Sequence, residues 1–128
     1  MKNILKITSD WFVYALFDDV VDEFLPSIKS MEFEVESIDD MVLFLKRTNQ
    51  TEMLRRIGRA RNQVNQLIRL LKPKTEIINI LTKRHAQKFQ EHTLLYLRDT
   101  QDHLTSMIQN LEQNSETLNR SHNNYLAQ

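Results

Sequence analysis

The chain has 128 residues, a formal net charge of zero, no cysteine, one glycine and two prolines. Its length suits one domain or a part of one, and a composition this poor in turn formers and rich in Leu, Glu, Lys, Arg and Gln predicts an all-α fold. Disulfides and thiolate metal sites are excluded, and the longest apolar run, seven residues from Trp11 to Phe17, is far below the ~20 needed to cross a bilayer, so we expect a soluble segment.

The zero net charge hides two blocks of opposite sign. Residues 10–46 contain ten acidic and two basic residues, whereas residues 47–98 contain twelve basic and three acidic residues. Such blocks are typical of two helices folded onto each other, with their charges flanking the seam. The acidic block would oppose nucleic acid and no nucleic-acid motif is present, so we expect no nucleic-acid partner.

The first predicted helix covers residues 10–46, after the cap candidates Ser9 and Asp10. Its apolar positions form a heptad seam with one stutter near Pro26, where we expect a bend. Trp11, Phe12, Tyr14 and Phe17 are expected in the core. The seam consists of Val13, Phe17, Val20, Phe24, Ile28, Met31, Val35, Ile38, Val42 and Leu45.

The second predicted helix covers residues 51–85, after a polar turn at 48–51 in which Asn49 or Thr51 is the cap candidate. A kink is expected near Pro73. Gly58 marks either a close helix approach or a tolerated surface position. The short turn predicts that helices one and two are antiparallel neighbours. The seam consists of Met53, Ile57, Ala60, Val64, Leu67, Leu71, Ile78 and Leu81.

The third predicted helix covers residues 89–128 and starts between Ala86 and Thr93. Its heptad steps continue to the last residue without a Gly or Pro stop, which indicates a piece of a longer chain. Its second half is rich in Asn and Gln, so it needs partners. The three helices together predict a coiled-coil-like arrangement. The third seam consists of Leu97, Gln101, Leu104, Ile108, Leu111, Ser115, Leu118, His122 and Tyr125.

The stretch YLRDTQDH, residues 96–103, concentrates metal-ligand chemistry beside this seam. Asp99 and His103 are four residues apart and share one helix face, while Asp102 lies on a neighbouring row. The pair fits a hard, hydrated ion such as magnesium better than zinc. The simpler interpretation is a charge pair on a solvated surface, because a complete site needs more ligands than one turn supplies.

The stretch LFDDVVDEF in helix one offers further acids. Asp18 and Asp22 share a face and Asp19 lies off it. They form either a solvated acidic surface or, with Asp99 of a neighbouring chain, a shared cation site. His85 is more simply a packed or capping histidine, and His92 has no evident role. His122, with Asn123 and Asn124, is placed by default on a surface, and the alternative is a polar channel where several copies of helix three meet. No triad, phosphate loop or HExxH motif is present, so we expect no enzyme.

The segments YALFDDVVDEFLP, EVESIDD, LRRIGRARNQVNQLIRLLKPK and YLRDTQDH followed by SHNNYLAQ resemble the CorA-type magnesium channel family. The resemblance is greatest to its fungal branch, the plasma-membrane and vacuolar magnesium transporters linked to aluminium resistance. It covers nearly all of residues 11–128. Arg98 departs from the glycine expected there, and no Gly-Met-Asn selectivity motif follows.

The resemblance implies a homopentamer whose cytoplasmic part has an antiparallel pair of long helices before a stalk helix that continues into the membrane. It implies that Asp18, Asp99 and His103 are regulatory ligands for Mg²⁺, or for other divalent cations, and that a further acidic ligand comes from a preceding αβ domain. It places this segment on the cytoplasmic side and the parent protein in the plasma membrane or, alternatively, the vacuolar membrane. The competing hypothesis is a helical coiled-coil scaffold without a metal function.

Overall fold

Three long helices make up a computed structural model that describes residues 2–44 and 50–127. Helix α1 is Lys2–Phe44, α2 is Gln50–Lys83 and α3 is Glu91–Ala127, with a short 3-10 helix, Ala86–Lys88, between α2 and α3. The described residues contain no strand. The predicted all-α class with three long helices is therefore confirmed.

Helix α1 begins at Lys2 and passes through Ser9 and Asp10, so the predicted start after those two residues is wrong. Asp10 does not cap its own helix. Its side chain is buried, and its Oδ2 accepts a hydrogen bond of 2.9 Å from the backbone N–H of Gln90, directly before α3. A carboxylate there satisfies a donor at the start of a helix that is distant in sequence.

The other helix ends lie close to their predicted positions. Helix α2 ends two residues before the expected His85, and α3 begins at Glu91, inside the expected interval. Leu45 and the turn residues Thr48 and Asn49 lie outside the described residues. The helices continue through Pro26 and Pro73, and the bends expected there stay predictions.

Helix α3 is the common partner of the other two helices. It contacts α1 and α2 to the same extent, whereas α1 and α2 contact each other far less. Helix α2 runs antiparallel to α3, as shown by hydrogen bonds from Arg61 to Asn119 and from Thr82 to Gln101. The apolar seams of α1 and α2 both pack mainly against α3, so α1 and α2 have little direct contact. In the described part of the chain, one ion pair, between Glu34 and Arg56, joins the acidic and basic blocks. The two blocks face each other at this pair, and the contact between α1 and α2 is otherwise small.

The core follows the predicted seams of α1 and α2 closely, but it is wider on α3. A helix between two partners buries an extra row, here Thr93, Thr100, Met107 and Ser121, besides the central leucines. Gln101, Ser115 and His122, predicted in the seam, are half-buried. The fully buried large side chains are Ile38, Val35 and Val42 of α1, Ile57, Val64, Leu71 and Ile78 of α2, and Leu97, Leu104, Leu111, Leu118 and Tyr125 of α3.

Two aromatic side chains expected in the core lie on the surface. Trp11 is 59% and Phe12 is 62% exposed, because Asp10, Tyr14 and Phe17 occupy the inward side of α1 at that level. Apart from its chain neighbours and the backbone of its own helix, nothing lies within 4 Å of the place where a Cβ of residue 58 would stand. The close-approach interpretation of Gly58 is therefore wrong, and the glycine is tolerated at a half-buried position.

Candidate functional site

The register between α1 and α3 decides which predicted ligands can meet. Two hydrogen bonds and one ring pair fix this register. Asp10 accepts a bond from the Gln90 backbone, Tyr14 packs against Tyr96, and the Ser121 hydroxyl donates a bond of 2.9 Å to Asp39. The paired residues are 80, 82 and 82 positions apart, so α1 and α3 run parallel in one constant register. Residue 18 of α1 therefore lies level with residues 98–100 of α3.

A pair of tyrosines lies about one helical turn before the candidate ligands on both helices. The rings of Tyr14 and Tyr96 lie with centroids 5.2 Å apart in a tilted arrangement. Asp18 follows Tyr14 by one helical turn, and Asp99 follows Tyr96 by three residues. The two carboxylates thus stand on the same edge of the α1–α3 pair.

The electrostatics of Tyr14 support this placement. Burial raises the pKa of its phenol, and the negative charges of Asp18, Asp99 and Asp22 raise it further, together with Tyr96. Charges act on one hydroxyl in this way only when they lie near it. Asp18 and Asp99, on different helices and 81 residues apart, therefore share one electrostatic environment.

Asp99 and His103 form the contact that their spacing predicts. The Asp99 Oδ2 lies 3.6 Å from the His103 Nε2, and the two side chains are 74% and 59% exposed. The distance is too long for a hydrogen bond and the exposure is high, so the pair adds little to folding stability. A carboxylate and an imidazole held this way, facing water, remain available to a cation.

The candidate ligands on this edge do not make a closed metal site in one copy of the chain. In the described ranges, no group of three or more His, Asp or Glu side chains is close enough to hold a metal ion. Asp18 is half-buried, while Asp19 and Asp22 are exposed. Mg²⁺ commonly uses one or two carboxylates and keeps several waters, so this edge suits part of a hydrated-ion site.

The remaining histidines lie away from this edge or make no contact that gives them a role. His85 is half-buried in the link after α2 and its side chain caps nothing. His92 is exposed in the first turn of α3. His122 is half-buried near the end of α3, and Asn123 and Asn124 beside it are exposed.

The sequence does not predict two contacts near this edge. One is the ring contact between Tyr14 and Tyr96, and the other is the hydrogen bond that Asp10 accepts. The sequence predicts Tyr14 in the core, and Tyr96 is the first residue of the stretch YLRDTQDH. The heptad seams do not pair them, because periodicity leaves the register of α1 against α3 open by whole heptads. Nothing local marks the contact of Asp10 with Gln90, because it joins residues 80 positions apart.

Comparison with known proteins decides the family. The profile described as "CorA-like Mg2+ transporter protein" matches residues 1–128, the whole chain. The chain belongs to the CorA family.

Relatives in this family come from fungi and bacteria. The whole chain is 42% identical to a putative metal ion transporter of Schizosaccharomyces pombe, covering 16% of that protein. It is 33% identical to the magnesium transporter ALR2 of Saccharomyces cerevisiae, covering 20% of it. For the cobalt/magnesium transport protein CorA of Thermotoga maritima, the identity is 22% over 85% of the chain and 30% of that protein. The resemblance to the fungal CorA branch is confirmed.

The chain spans between 16% and 22% of the length of the first three fungal relatives. No solved structure matches it. Within residues 2–44 and 50–127, no helix combines the length and apolar character needed to cross a membrane.

Proposed function

We propose that this chain is the cytoplasmic cation-sensing and stalk region of a CorA-type magnesium transporter. In this proposal Asp18, Asp99 and His103 bind a hydrated Mg²⁺ at the border between neighbouring copies. The observation that supports it best is the parallel register of α1 and α3, which brings the turn of Asp18 level with Asp99.

The exposure of the ligands supports a site shared between copies. Carboxylates that lie together repel each other, and a bound divalent cation offsets that repulsion. A cation held by Asp18, Asp99 and His103 at this edge, where neighbouring copies border each other, would therefore tighten their association. Loss of the cation would loosen the contacts between subunits and allow them to rotate as rigid bodies about their interface, which would open the channel.

The parent protein in this proposal is a homopentamer in the plasma membrane, with the vacuolar membrane as the alternative. Helix α3 is the stalk that leads towards the membrane-spanning part, which lies outside this chain. The chain has no catalytic role. The alternative function is a helical scaffold in which Asp99 and His103 are ordinary surface charges, as their exposure also allows.

Thermal unfolding with and without Mg²⁺ separates the two functions. At ten times the dissociation constant, a ligand that binds only the folded state stabilises it by about 1.4 kcal/mol, which raises Tm by roughly 4 °C in a domain of this size. We expect this shift with MgCl₂ but not with NaCl at matched ionic strength. Asp99→Asn should abolish it, while the control Asp102→Asn, an exposed acid on the next row of the same helix, should retain it.

Equal effects of MgCl₂ and NaCl, or an equal loss in both variants, would favour the scaffold. The assignment to a larger channel has its own test in the coding sequence after Gln128. A run of about twenty apolar residues ending in Gly-Met-Asn, followed by a second such run, supports it. A stop codon or a polar continuation would contradict it.

A further inference from the structure

Helices α1 and α2 leave a long open groove between them. It has a volume of about 1130 Å³ and is lined by residues 26–34 of α1 and 56–70 of α2, with no contribution from α3. The groove exists because both helices pack mainly on α3 and contact each other little. It extends along about two and a half turns of α1 and about four turns of α2.

The groove has an apolar floor and apolar walls. Met31 and Ala60 are buried at its base, with half-buried Leu67 beside them. Phe33 is 78% and Leu70 is 45% exposed at its sides. Exposed apolar side chains gathered around a concave surface mark a place where another molecule docks.

The rim of the groove is basic. Lys29, Arg56 and Arg59 lie on it, against one acid, Glu34. Arg56 already binds both carboxylate oxygens of Glu34, at 2.6 and 3.1 Å. Lys29 has no ion-pair partner among the described residues, and it is the one base in the otherwise acidic part of α1 from residue 10 to residue 44. Arg59 lies 3.7 Å from Glu52, an exposed acid outside the groove, so the uncompensated positive charge at the rim is that of Lys29.

We propose that this groove docks an amphipathic helix whose apolar face is flanked by Asp and Glu, supplied by the part of the same polypeptide outside this segment. A helix laid between α1 and α2 would complete a four-helix bundle with α3. The volume exceeds the ~300–1,000 Å³ of ordinary small-molecule pockets. Since the chain spans only 16% to 22% of its first three relatives, such proteins contain ample further chain to supply this helix.

The chemistry of the groove is tested with two labelled helical peptides of about four turns. Both have Leu at i, i+3, i+4 and i+7, and one has Glu and the other Lys at the flanking positions. We expect saturable fluorescence anisotropy with the Glu peptide and at least about tenfold weaker binding of the Lys peptide. The double substitution Lys29→Glu and Arg59→Glu should reverse this preference, whereas the control Arg55→Glu with Arg69→Glu, also exposed but outside the groove, should not.

The source of the helix is tested with a thiol introduced into this chain, which has no cysteine of its own, with the modification followed at that position by peptide mass analysis. Ser30→Cys lies in the groove, and Asn62→Cys lies exposed on α2 outside it. In the full-length protein, we expect maleimide to modify Ser30→Cys about tenfold more slowly than in the 128-residue chain, with Asn62→Cys unchanged. Adding Lys29→Glu and Arg59→Glu to the full-length protein should restore the fast maleimide modification of Ser30→Cys.

Three outcomes would overturn the proposal. Equal affinity for both peptides would show that the groove binds apolar helices without selecting for acidic flanking residues. Equal modification rates of Ser30→Cys in the full-length protein and in this chain would show that no flanking segment covers it. Protection of Ser30→Cys that grows with the concentration of the 128-residue chain would show that a second copy is the occupant.

Discussion

The Glu34–Arg56 pair is expected to be the main polar link between α1 and α2. Arg56 donates through Nε and Nη2 to the two carboxylate oxygens of Glu34, and Nη2 also donates to the Ser37 hydroxyl at 3.1 Å. Two-pronged pairs of this kind are stronger than single contacts. The side chains are 26% and 36% exposed for Arg56 and Glu34, so solvent screening limits their coupling to about 1 kcal/mol.

A double-mutant cycle measures this coupling. Urea unfolding is compared for the original chain, Glu34→Gln, Arg56→Gln and the double variant at neutral pH. A matched control is the Glu52–Arg59 pair, which is 3.7 Å apart with both side chains about two-thirds exposed, and whose coupling should be below about 0.3 kcal/mol. Equal couplings for the two pairs would refute the reasoning from geometry and burial.

The same cycle has a pH dependence with a definite sign. The hydrogen bonds from Arg56 lower the pKa of Glu34 in the folded state and outweigh the opposing effect of its partial burial. A carboxyl whose pKa is lowered on folding contributes its full stabilisation above its unfolded value, about 4.3 for Glu, and loses it as the pH falls through the folded value. Coupling that persists at the lowest pH where the chain still folds would contradict this assignment.

Three further substitutions test the packing of the helices. Leu111 lies in the buried centre of α3, and Leu111→Ala should lower the free energy of unfolding by about 2–5 kcal/mol. Leu95 is 61% exposed, and Leu95→Ala should change it by less than about 0.5 kcal/mol. Similar losses for the two variants in urea titrations would contradict the assigned core. Asp10→Ala should cost about 1–2 kcal/mol and speed amide exchange at Gln90, and Asp10→Asn, which keeps an acceptor oxygen, should cost less. Gly58→Ala should raise stability by about 0.5–1 kcal/mol, because nothing occupies the space of the new methyl group, and a loss of stability would show an unrecognised close contact.

The heptad seams could be predicted because one side of each helix must be apolar over its whole length. The extra buried row of α3, with Thr100, Met107 and Ser121, could not be predicted the same way. It depends on α3 having partners on two sides, and the charge blocks suggested instead that α1 and α2 pair with each other. The burial of Ser121 also depends on α1, whose Asp39 accepts the hydrogen bond from its hydroxyl.

The candidate site was only partly predictable for a related reason. The spacing of Asp99 and His103 within one helix is a local property, and the structure shows the contact. That Asp18 lies level with Asp99 depends on the register of α1 against α3, which periodicity leaves open by whole heptads. Contacts such as Asp10 with Gln90 fix that register, and their residues are distant in sequence.

The most direct test of the central claim is to locate a bound divalent ion in the chain. Mn²⁺ accepts the oxygen and nitrogen ligands that Mg²⁺ uses, and its unpaired electrons broaden the NMR signals of nearby amides. We predict that substoichiometric Mn²⁺ broadens the amides around Asp18, Asp99 and His103 first, that excess Mg²⁺ restores them, and that Asp99→Asn prevents the effect. Broadening spread evenly over the acidic residues of α1, or centred on Asp39 and Asp40, would contradict the proposed site.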